Sequence, residues 1–197
     1  FFSIGGGMGI IYQRALESGT GKWWHDHGGD RSAFSVHDYA AAIVPPLREL
    51  DVRILVEPGR FLLGNAGVLL TRVRYIKKTA TKKFAIVDAG MNDLIRPALY
   101  QSYHEIVPCR ASVSDAVEKI DIVGPVCESG DFFALDRGMA ELHEGDLLAI
   151  MSAGAYGFVM ASNYNSRPLP AEVLVRGDKF GLIRKRQTWE DLVRGEI

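Results

Sequence analysis

The sequence predicts an α/β segment followed by an all-β domain: the C-terminal part of a (β/α)₈ barrel, and then an antiparallel β-barrel or β-sandwich domain. Two continuous apolar runs, residues 1–4 and 52–56, flank a helical pattern, as parallel α/β architecture requires. From about residue 67, strand-like runs follow one another with turns between them. Two parallel strands alone leave an open sheet edge, so we expect that this segment does not stand alone. If it belongs to a (β/α)₈ barrel of about 250 residues, most of that barrel would precede Phe1.

The helical pattern of the first part spans residues 35–50. Ser35 and Asp38 have the spacing of a capping box at its start. The apolar face of the helix would consist of Tyr39, Ile43, Leu47 and Leu50. We expect Pro45 and Pro46 to kink or interrupt the helix, because proline lacks the N–H group that a helix uses.

The second part contains a series of short strand-like runs. They are residues 68–75, 84–88, 120–126, 146–152, 157–161, 171–176 and 180–186. The last two would form a hairpin across Gly177 and Asp178, and Thr188 with Asp191 predicts a capped final helix. The boundary between the two parts falls near residues 64–68, which gives predicted domains of residues 1–67 and 68–197.

Composition and charge exclude several classes of protein. The chain has 197 residues, of which 47% are hydrophobic and 24% are charged, as is typical of soluble globular proteins. The formal net charge of −1 gives no reason to expect a nucleic acid or an anionic membrane as partner. The two cysteines, Cys109 and Cys127, are not in a Cys-x-x-Cys spacing, so we expect a reducing compartment, the cytoplasm, and no disulfide scaffold.

A motif that suits ligand binding follows each apolar strand of the first part. Gly5, Gly6 and Gly7 follow the first strand, where glycines let backbone N–H groups approach a phosphate; a plain turn is the alternative. Residues 57–60 (Glu-Pro-Gly-Arg) end the second strand with a carboxylate and a guanidinium, for which a structural ion pair is the alternative.

Two further segments contain reactive or metal-binding side chains. Cys127 lies in a glycine-containing loop with Glu128 and Asp131, which suits a catalytic cysteine, although most free cysteines are small buried apolar residues, as we expect for Cys109. Residues 23–30 contain two histidines and two aspartates. Because no third anchor for a metal is evident, a surface loop is favoured there and no metal site is predicted.

These motifs, taken in order, resemble those of one enzyme family. The glycine turn and residues 57–60 resemble the phosphate and cofactor sites of fold-type III pyridoxal-phosphate decarboxylases. Residues 87–100, 124–131 and 154–168 resemble three signatures of the diaminopimelate decarboxylase family, including its Cys-Glu-Ser-Gly-Asp loop. The resemblance spans essentially the whole chain. It implies decarboxylation of meso-2,6-diaminopimelate to L-lysine, with release of CO₂.

The resemblance also implies roles for individual residues. The cofactor would be pyridoxal 5'-phosphate, bound by Gly5, Gly6, Gly7, Glu57, Gly59, Arg60 and Tyr156. Glu57 would face the pyridine nitrogen. The substrate would be bound by Arg60, Arg96, Tyr100, Glu128 and Tyr156. The guanidinium groups suit its distal carboxylate and Glu128 suits its distal ammonium group, and Cys127 would return a proton to the substrate carbon.

The family's cofactor is carried on a lysine that would precede Phe1. None of the chain's own lysines lies in a comparable strand-end motif, and the chain begins inside an apolar run without an initiator Met. We therefore expect a fragment that has no decarboxylase activity by itself. The resemblance further implies a homodimer in which the Cys127–Glu128 loop of one subunit completes the site of the other.

Three other functions remain as alternatives. Another fold-type III decarboxylase could act on ornithine, arginine or a carboxylated polyamine, but a substrate whose distal end is only an amine gives Arg96 no role. A truncated, non-catalytic homologue that modulates a full-length enzyme fits the missing lysine, but does not require the intact motifs. A β interaction module explains none of the motifs.

Overall fold

The computed structural model describes residues 1–13, 35–110 and 116–197. Strands β1 (Phe2–Ser3) and β2 (Ile54–Leu55) pair in parallel, and helix α1 (Val36–Leu47) lies between them in the sequence. This arrangement confirms the predicted order of strand, helix and strand. The histidine-containing segment, residues 23–30, lies outside the described residues.

The predicted capping box fixes the start of α1. The Ser35 hydroxyl accepts a hydrogen bond from the backbone N–H of Asp38 at 3.1 Å, and the Asp38 carboxylate accepts one from the backbone N–H of Ser35 at 3.1 Å. Pro45 and Pro46 lie within the helix, so the expected interruption was wrong. Each proline removes only its own N–H bond in the last turn, just before the helix ends at Leu47.

A second helix and a mixed sheet follow. Helix α2 (Gly59–Leu63) and a 3₁₀ turn (Gly64–Ala66) lead into the sheet. Within the described residues its six strands are β3 (Leu69–Lys78), β4 (Lys83–Val87), β5 (Ile106–Pro108), β6 (Val117–Val123), β7 (Phe132–Ala140) and β8 (Leu147–Ile150). Their order across the sheet is β5–β8–β3–β4–β6–β7, and the sheet curls as a half-barrel.

The expectation of a purely antiparallel domain was wrong, because β4 and β6 run parallel. The other neighbouring pairs of the described sheet are antiparallel. Helix α3 (Arg96–Tyr100) and β5 occupy the chain between β4 and β6. This long connection lets the chain return to the same end of the sheet before it enters β6, as a parallel pair requires.

The core is built by alternate residues of the strands. In β3, Thr71 and Val73 are buried while Leu70 and Arg72 are exposed, so one face of this strand covers the core. The most buried of the larger apolar side chains, each no more than 1% exposed, are Val73, Val87, Leu94, Ile120, Ile122, Leu148 and Ile150. Burial of a side chain of this size contributes about 1.5–3 kcal/mol to stability.

The last described elements agree with the sequence in part. Strands β9 (Glu172–Arg176) and β10 (Lys179–Arg184) form the predicted hairpin, and helix α4 (Trp189–Leu192) has the predicted capping box. Residues 157–161 contain a 3₁₀ turn instead of the predicted strand. Short apolar runs do not distinguish these structures by periodicity. Within the described residues, no helix is both long enough and apolar enough to cross a bilayer.

Candidate active site

The carboxyl ends of β1 and β2 bring the glycine turn and Glu57 together. The Ile4 N–H donates to the Leu55 carbonyl at 3.1 Å, and the Glu57 N–H donates to the Gly5 carbonyl at 2.8 Å. The Ser3 hydroxyl donates to Oε1 of Glu57 at 2.6 Å and accepts from the Gly5 N–H at 3.1 Å. These bonds hold the Glu57 carboxylate beside the glycine turn.

The backbone of Gly6 passes too close to Glu57 for any side chain. A Cβ atom at Gly6 would lie 2.8 Å from the carbonyl oxygen of Glu57. Gly5 and Gly7 adopt φ angles of +68° and +88°, a region that residues with a side chain rarely occupy. The Tyr39 hydroxyl of α1 donates to the Gly6 carbonyl at 3.1 Å, so the helix supports the turn.

A pocket of about 150 Å³ lies at this edge of the parallel strands. Its lining consists of Gly6, Gly7, Met8, Glu57, Pro58, Gly59, Arg60 and Tyr156. All the residues predicted to bind a cofactor except Gly5 therefore line one pocket, and Gly5 is hydrogen-bonded to Glu57. The pocket offers a carboxylate, a guanidinium, a phenol and glycine backbone, which suit a ligand that carries both an anionic and a cationic group.

Tyr156 connects this pocket to a second positive charge. Its ring centroid lies 5.7 Å from Cζ of Arg60 and 5.7 Å from Cζ of Arg96. The Tyr100 ring lies 5.8 Å from the same Arg96 atom. Tyr156 has a φ angle of +61°, which is unfavourable for a tyrosine and typical of functional sites. The structure thus brings together Arg60, Arg96, Tyr100 and Tyr156, which are all of the predicted substrate-binding residues except Glu128.

Arg96 is only 6% exposed, although it carries a charge. One of its terminal nitrogens donates to the Tyr12 hydroxyl at 3.1 Å and to the Ser102 hydroxyl at 3.2 Å. Burial of a charge is costly unless it is paired or hydrogen-bonded. A guanidinium that is hydrogen-bonded to hydroxyl groups and packed against aromatic rings is held in place, and is suited to bind a carboxylate. Tyr12 and Ser102 were not predicted from the sequence, since neither lies in a motif.

The loop of residues 124–131 is organised around the buried carboxylate of Asp131. That carboxylate accepts hydrogen bonds from the N–H groups of Met91 and Val126, each at 2.6 Å. Burial raises the pKa of Asp131, and the two N–H bonds partly oppose this shift. Cys127 and Glu128 lie exposed on the loop and are not part of the pocket lining.

Residues 163–168, the last part of the third signature, contact this loop and also the first signature, residues 87–100. The Tyr164 hydroxyl donates to Oε2 of Glu128 at 3.3 Å, and the charge of Glu128 raises the pKa of Tyr164. Arg167 donates to Oδ1 of Asn92 at 2.8 Å and to the carbonyl of Asp88 at 2.6 Å. Neither Tyr164 nor Arg167 was assigned a role from the sequence. Their position in a family motif was the signal that pointed to them.

The fold and the pocket define a class of protein: a β/α segment whose strand ends form a pocket lined by glycine backbone, a carboxylate and a guanidinium, followed by a mixed β-sheet domain. Comparison with protein families makes the assignment more specific. The model of the C-terminal sheet domain of pyridoxal-dependent decarboxylases matches residues 11–154. The chain therefore belongs to the pyridoxal-dependent decarboxylase family.

Individual relatives agree with this assignment. A diaminopimelate decarboxylase of Pseudomonas aeruginosa is 49% identical over 193 residues, which cover 98% of this chain and 42% of that protein. The crystal structure of diaminopimelate decarboxylase from Helicobacter pylori, complexed with L-lysine, is 42% identical with a TM-score of 0.83 over 98% of this chain and 43% of that one. A diaminopimelate decarboxylase structure from M. jannaschii is 39% identical with a TM-score of 0.85, over 99% and 42%. The chain thus spans less than half the length of these relatives.

Pyridoxal phosphate is the cofactor of this family, and the described pocket fits it. The close approach of the Gly6 backbone to Glu57 excludes any side chain at this position, since a Cβ atom would lie 2.8 Å from the Glu57 carbonyl oxygen. Arg60 and the glycine N–H groups suit a phosphate, because guanidinium and backbone N–H groups are strong donors to phosphate oxygens. The Glu57 carboxylate suits the protonated nitrogen of a pyridine ring.

Proposed function

We propose that this chain is the C-terminal part of a diaminopimelate decarboxylase, and that the complete protein converts meso-2,6-diaminopimelate to L-lysine and CO₂. The observation that carries the proposal is the buried Arg96, which shares the ring of Tyr156 with Arg60 of the cofactor pocket. Diaminopimelate has an amino-acid group at each end. A second guanidinium beside the pocket gives the non-reacting end a carboxylate-binding partner.

The residues of the pocket would bind and orient pyridoxal phosphate. Arg60, Tyr156 and the glycine turn would hold the phosphate, and Glu57 would keep a proton on the pyridine nitrogen. When bound, the cofactor supplies an electron sink for the carbanion that remains when CO₂ leaves. The Ser3 hydroxyl donates to Glu57 at 2.6 Å and so fixes the position of that carboxylate beside the glycine turn.

The remaining residues would bind the substrate and complete the reaction. Arg60, Arg96 and Tyr100 would hold the distal carboxylate, and Glu128 would accept hydrogen bonds from the distal ammonium group. Cys127 would donate its thiol proton to the substrate carbon from which CO₂ has departed. Binding of the distal end orients the carboxylate that leaves as CO₂. Through this orientation, the binding energy of the distal end increases the reaction rate.

A homodimer with shared active sites is part of this proposal. Cys127 and Glu128 are exposed and lie outside the pocket lining, which suits a loop that completes the site of a partner subunit. We also propose a division into domains at residues 67 and 68, just after the 3₁₀ turn. The unpaired state of the two cysteines suits a cytoplasmic location.

A direct assay of substrate specificity tests the proposal. The complete protein with pyridoxal phosphate is expected to release CO₂ from meso-diaminopimelate and much less from ornithine or arginine.

Arg96→Met is expected to raise KM for diaminopimelate about thirtyfold or more, because truncating a buried charged hydrogen-bond partner costs about 2–5 kcal/mol. Arg176→Met, on an exposed strand of the hairpin, serves as the control and is expected to leave KM unchanged.

Two of the alternative functions have distinct results in the same assay. Faster release of CO₂ from ornithine or arginine would favour another fold-type III decarboxylase. Complete protein that carries the cofactor but releases no CO₂ from any of these amino acids would favour a non-catalytic homologue.

Tyr164→Phe is expected to raise KM for diaminopimelate about threefold to tenfold, with a smaller change in kcat. The Tyr164 hydroxyl holds one oxygen of Glu128 at 3.3 Å, and an exposed hydrogen bond to a charged group contributes about 1 kcal/mol. Steady-state kinetics of the complete enzyme would show this. Tyr75→Phe, at another exposed tyrosine, is the matched control. Equal KM values for the two variants would contradict a role for Tyr164 in placing Glu128.

A further inference from the structure

A buried histidine lies next to the Arg96 site and has no role in the function proposed above. His104 is 0% exposed, and its Nδ1 atom lies 2.8 Å from the carbonyl oxygen of Met151. Because a carbonyl oxygen only accepts hydrogen bonds, Nδ1 must carry the hydrogen. In the neutral ring, Nε2 is then an acceptor. Among the described residues it has no hydrogen-bond partner.

The surroundings of His104 favour its neutral form. Burial lowers the pKa of His104, and the positive charges of Arg96 and Arg137 lower it further, while the bond to Met151 opposes the shift. Arg137 is held at this place because it donates to the His104 carbonyl at 3.0 Å. A histidine whose pKa is lowered stays uncharged at neutral pH, so Nε2 keeps its lone pair.

Arg96 has a complementary unpaired atom. Its Nε–H group is buried and has no hydrogen-bond partner within the described residues. Buried polar atoms without a partner are rare in folded proteins, and a bound water often joins two of them. Arg96 thus has a donor without a partner and His104 an acceptor without one, and the charge of Arg96 acts on the His104 ring.

Tyr12 brings the two side chains together. Its hydroxyl accepts a hydrogen bond from Arg96 at 3.1 Å, and its ring meets the His104 ring edge-on, with centroids 5.5 Å apart and planes at 80°. Gln101, which ends α3 with a φ angle of +51°, turns the chain so that Ser102 also returns to Arg96. The segment after α3 thus wraps around the guanidinium that α3 presents.

We propose that His104 is a positioning residue, which fixes the Arg96 guanidinium through Tyr12 and through a water bridge from Nε2 to the Nε–H group. This inference rests on the proposed function, in which Arg96 binds the distal carboxylate of the substrate. When the Nε–H group and the tyrosine contact fix the guanidinium, its remaining N–H donors point toward that carboxylate. Loss of the Nε2 acceptor would leave Arg96 in place but less well oriented.

Three substitutions in the complete enzyme separate this role from simple packing. His104→Asn keeps a donor for Met151 but removes the acceptor at Nε2, and His104→Gln places an amide where Nε2 lies. His104→Met keeps neither group at similar volume. The measurements are the inhibition constants of L-lysine, which has the distal carboxylate, and of 1,5-diaminopentane, which has none. The unfolding temperature of each variant is measured alongside them.

We expect the inhibition constant of L-lysine to rise about tenfold in His104→Asn and His104→Met, and to return toward the wild-type value in His104→Gln. The constant for 1,5-diaminopentane is expected to be the same in all variants. If His104 has only a structural role, the inhibition constants will change differently. His104→Asn would then match the wild type, and any weaker binding in the other variants would affect both ligands and would accompany a lower unfolding temperature.

The outcomes also separate this inference from the proposed function. Wild-type enzyme that neither binds L-lysine nor releases CO₂ from diaminopimelate would overturn the proposed function, and this inference with it. Wild-type enzyme that does both, while the three variants share its inhibition constant for L-lysine, would overturn the role of His104 alone.

Discussion

Replacement of Cys127 with alanine in the complete enzyme is expected to lower kcat about 10²–10⁴-fold, the range that a general acid contributes. The thiol would deliver a proton to the substrate carbon, and alanine has no proton to give. Because this proton transfer takes place after CO₂ has left, KM for diaminopimelate is expected to change much less than kcat. The measurement is steady-state CO₂ release at saturating cofactor.

Cys109 provides a matched control for this experiment. Both cysteines are free and exposed, so the expected burial of Cys109 was wrong. Cys109 follows β5 and is not part of the loop that carries Glu128. Cys109→Ala is expected to retain wild-type kcat. Both variants are expected to have the molecular mass of the wild-type protein in solution, so that a loss of assembly is not mistaken for a loss of the acid. Unchanged kcat in Cys127→Ala would remove this residue from the proposed reaction.

Local features of the fold could be predicted from the sequence because their causes are local. The capping boxes at Ser35 and Thr188 depend on residues three positions apart, and both are present in the structure. The hairpin across Gly177 depends on a glycine that adopts a φ angle of +62°. The meeting of Gly6 and Glu57 follows from the parallel pairing of two apolar strands, whose carboxyl ends must lie at one edge.

Strand β7 was not predicted because its pattern is interrupted. Asp136 has a φ angle of +49° inside the strand, and its N–H group donates to the buried Asp121 at 2.6 Å. Phe133 and Ala134 are adjacent and both buried, so the alternation of polar and apolar residues is lost. Irregular pairing of this kind is fixed by the neighbouring strand β6, and the sequence of β7 alone does not reveal it.

The surroundings of Arg96 could not be predicted for a related reason. Tyr12 precedes Arg96 by 84 residues, and the left-handed turn at Gln101 separates Arg96 from His104 in the chain. Hydrogen bonds between distant residues leave no periodic signal in the sequence. The resemblance to a family indicated which residues would touch the ligands. The residues that contact these ligand-binding side chains, such as Tyr12, became evident only from the contacts in the fold.

Replacement of Gly154 with alanine is expected to destabilise the protein by about 3 kcal/mol, the upper end of the usual cost of overpacking. A Cβ atom at Gly154 would lie 2.0 Å from the carbonyl oxygen of Leu63 and 2.8 Å from the nitrogen of Gly67. Both are backbone atoms, so no side chain can move aside to relieve the overlap. Gly154 also donates to the Gly64 carbonyl at 3.0 Å, and the substitution would strain that bond as well.

The same substitution is expected to weaken cofactor binding, because Gly154 lies two residues before Tyr156. Movement of this backbone would shift the Tyr156 ring away from Arg60, which now lies 5.7 Å from it. Gly181→Ala is the control, since a Cβ atom there meets no atom within 4 Å, and its stability is expected to stay within about 0.5 kcal/mol of the wild type. Thermal unfolding and titration with pyridoxal phosphate measure the two effects. Equal unfolding temperatures for the two variants would contradict a tight contact between residues 63–67 and Gly154, and equal affinities for pyridoxal phosphate would show that Tyr156 does not depend on this contact.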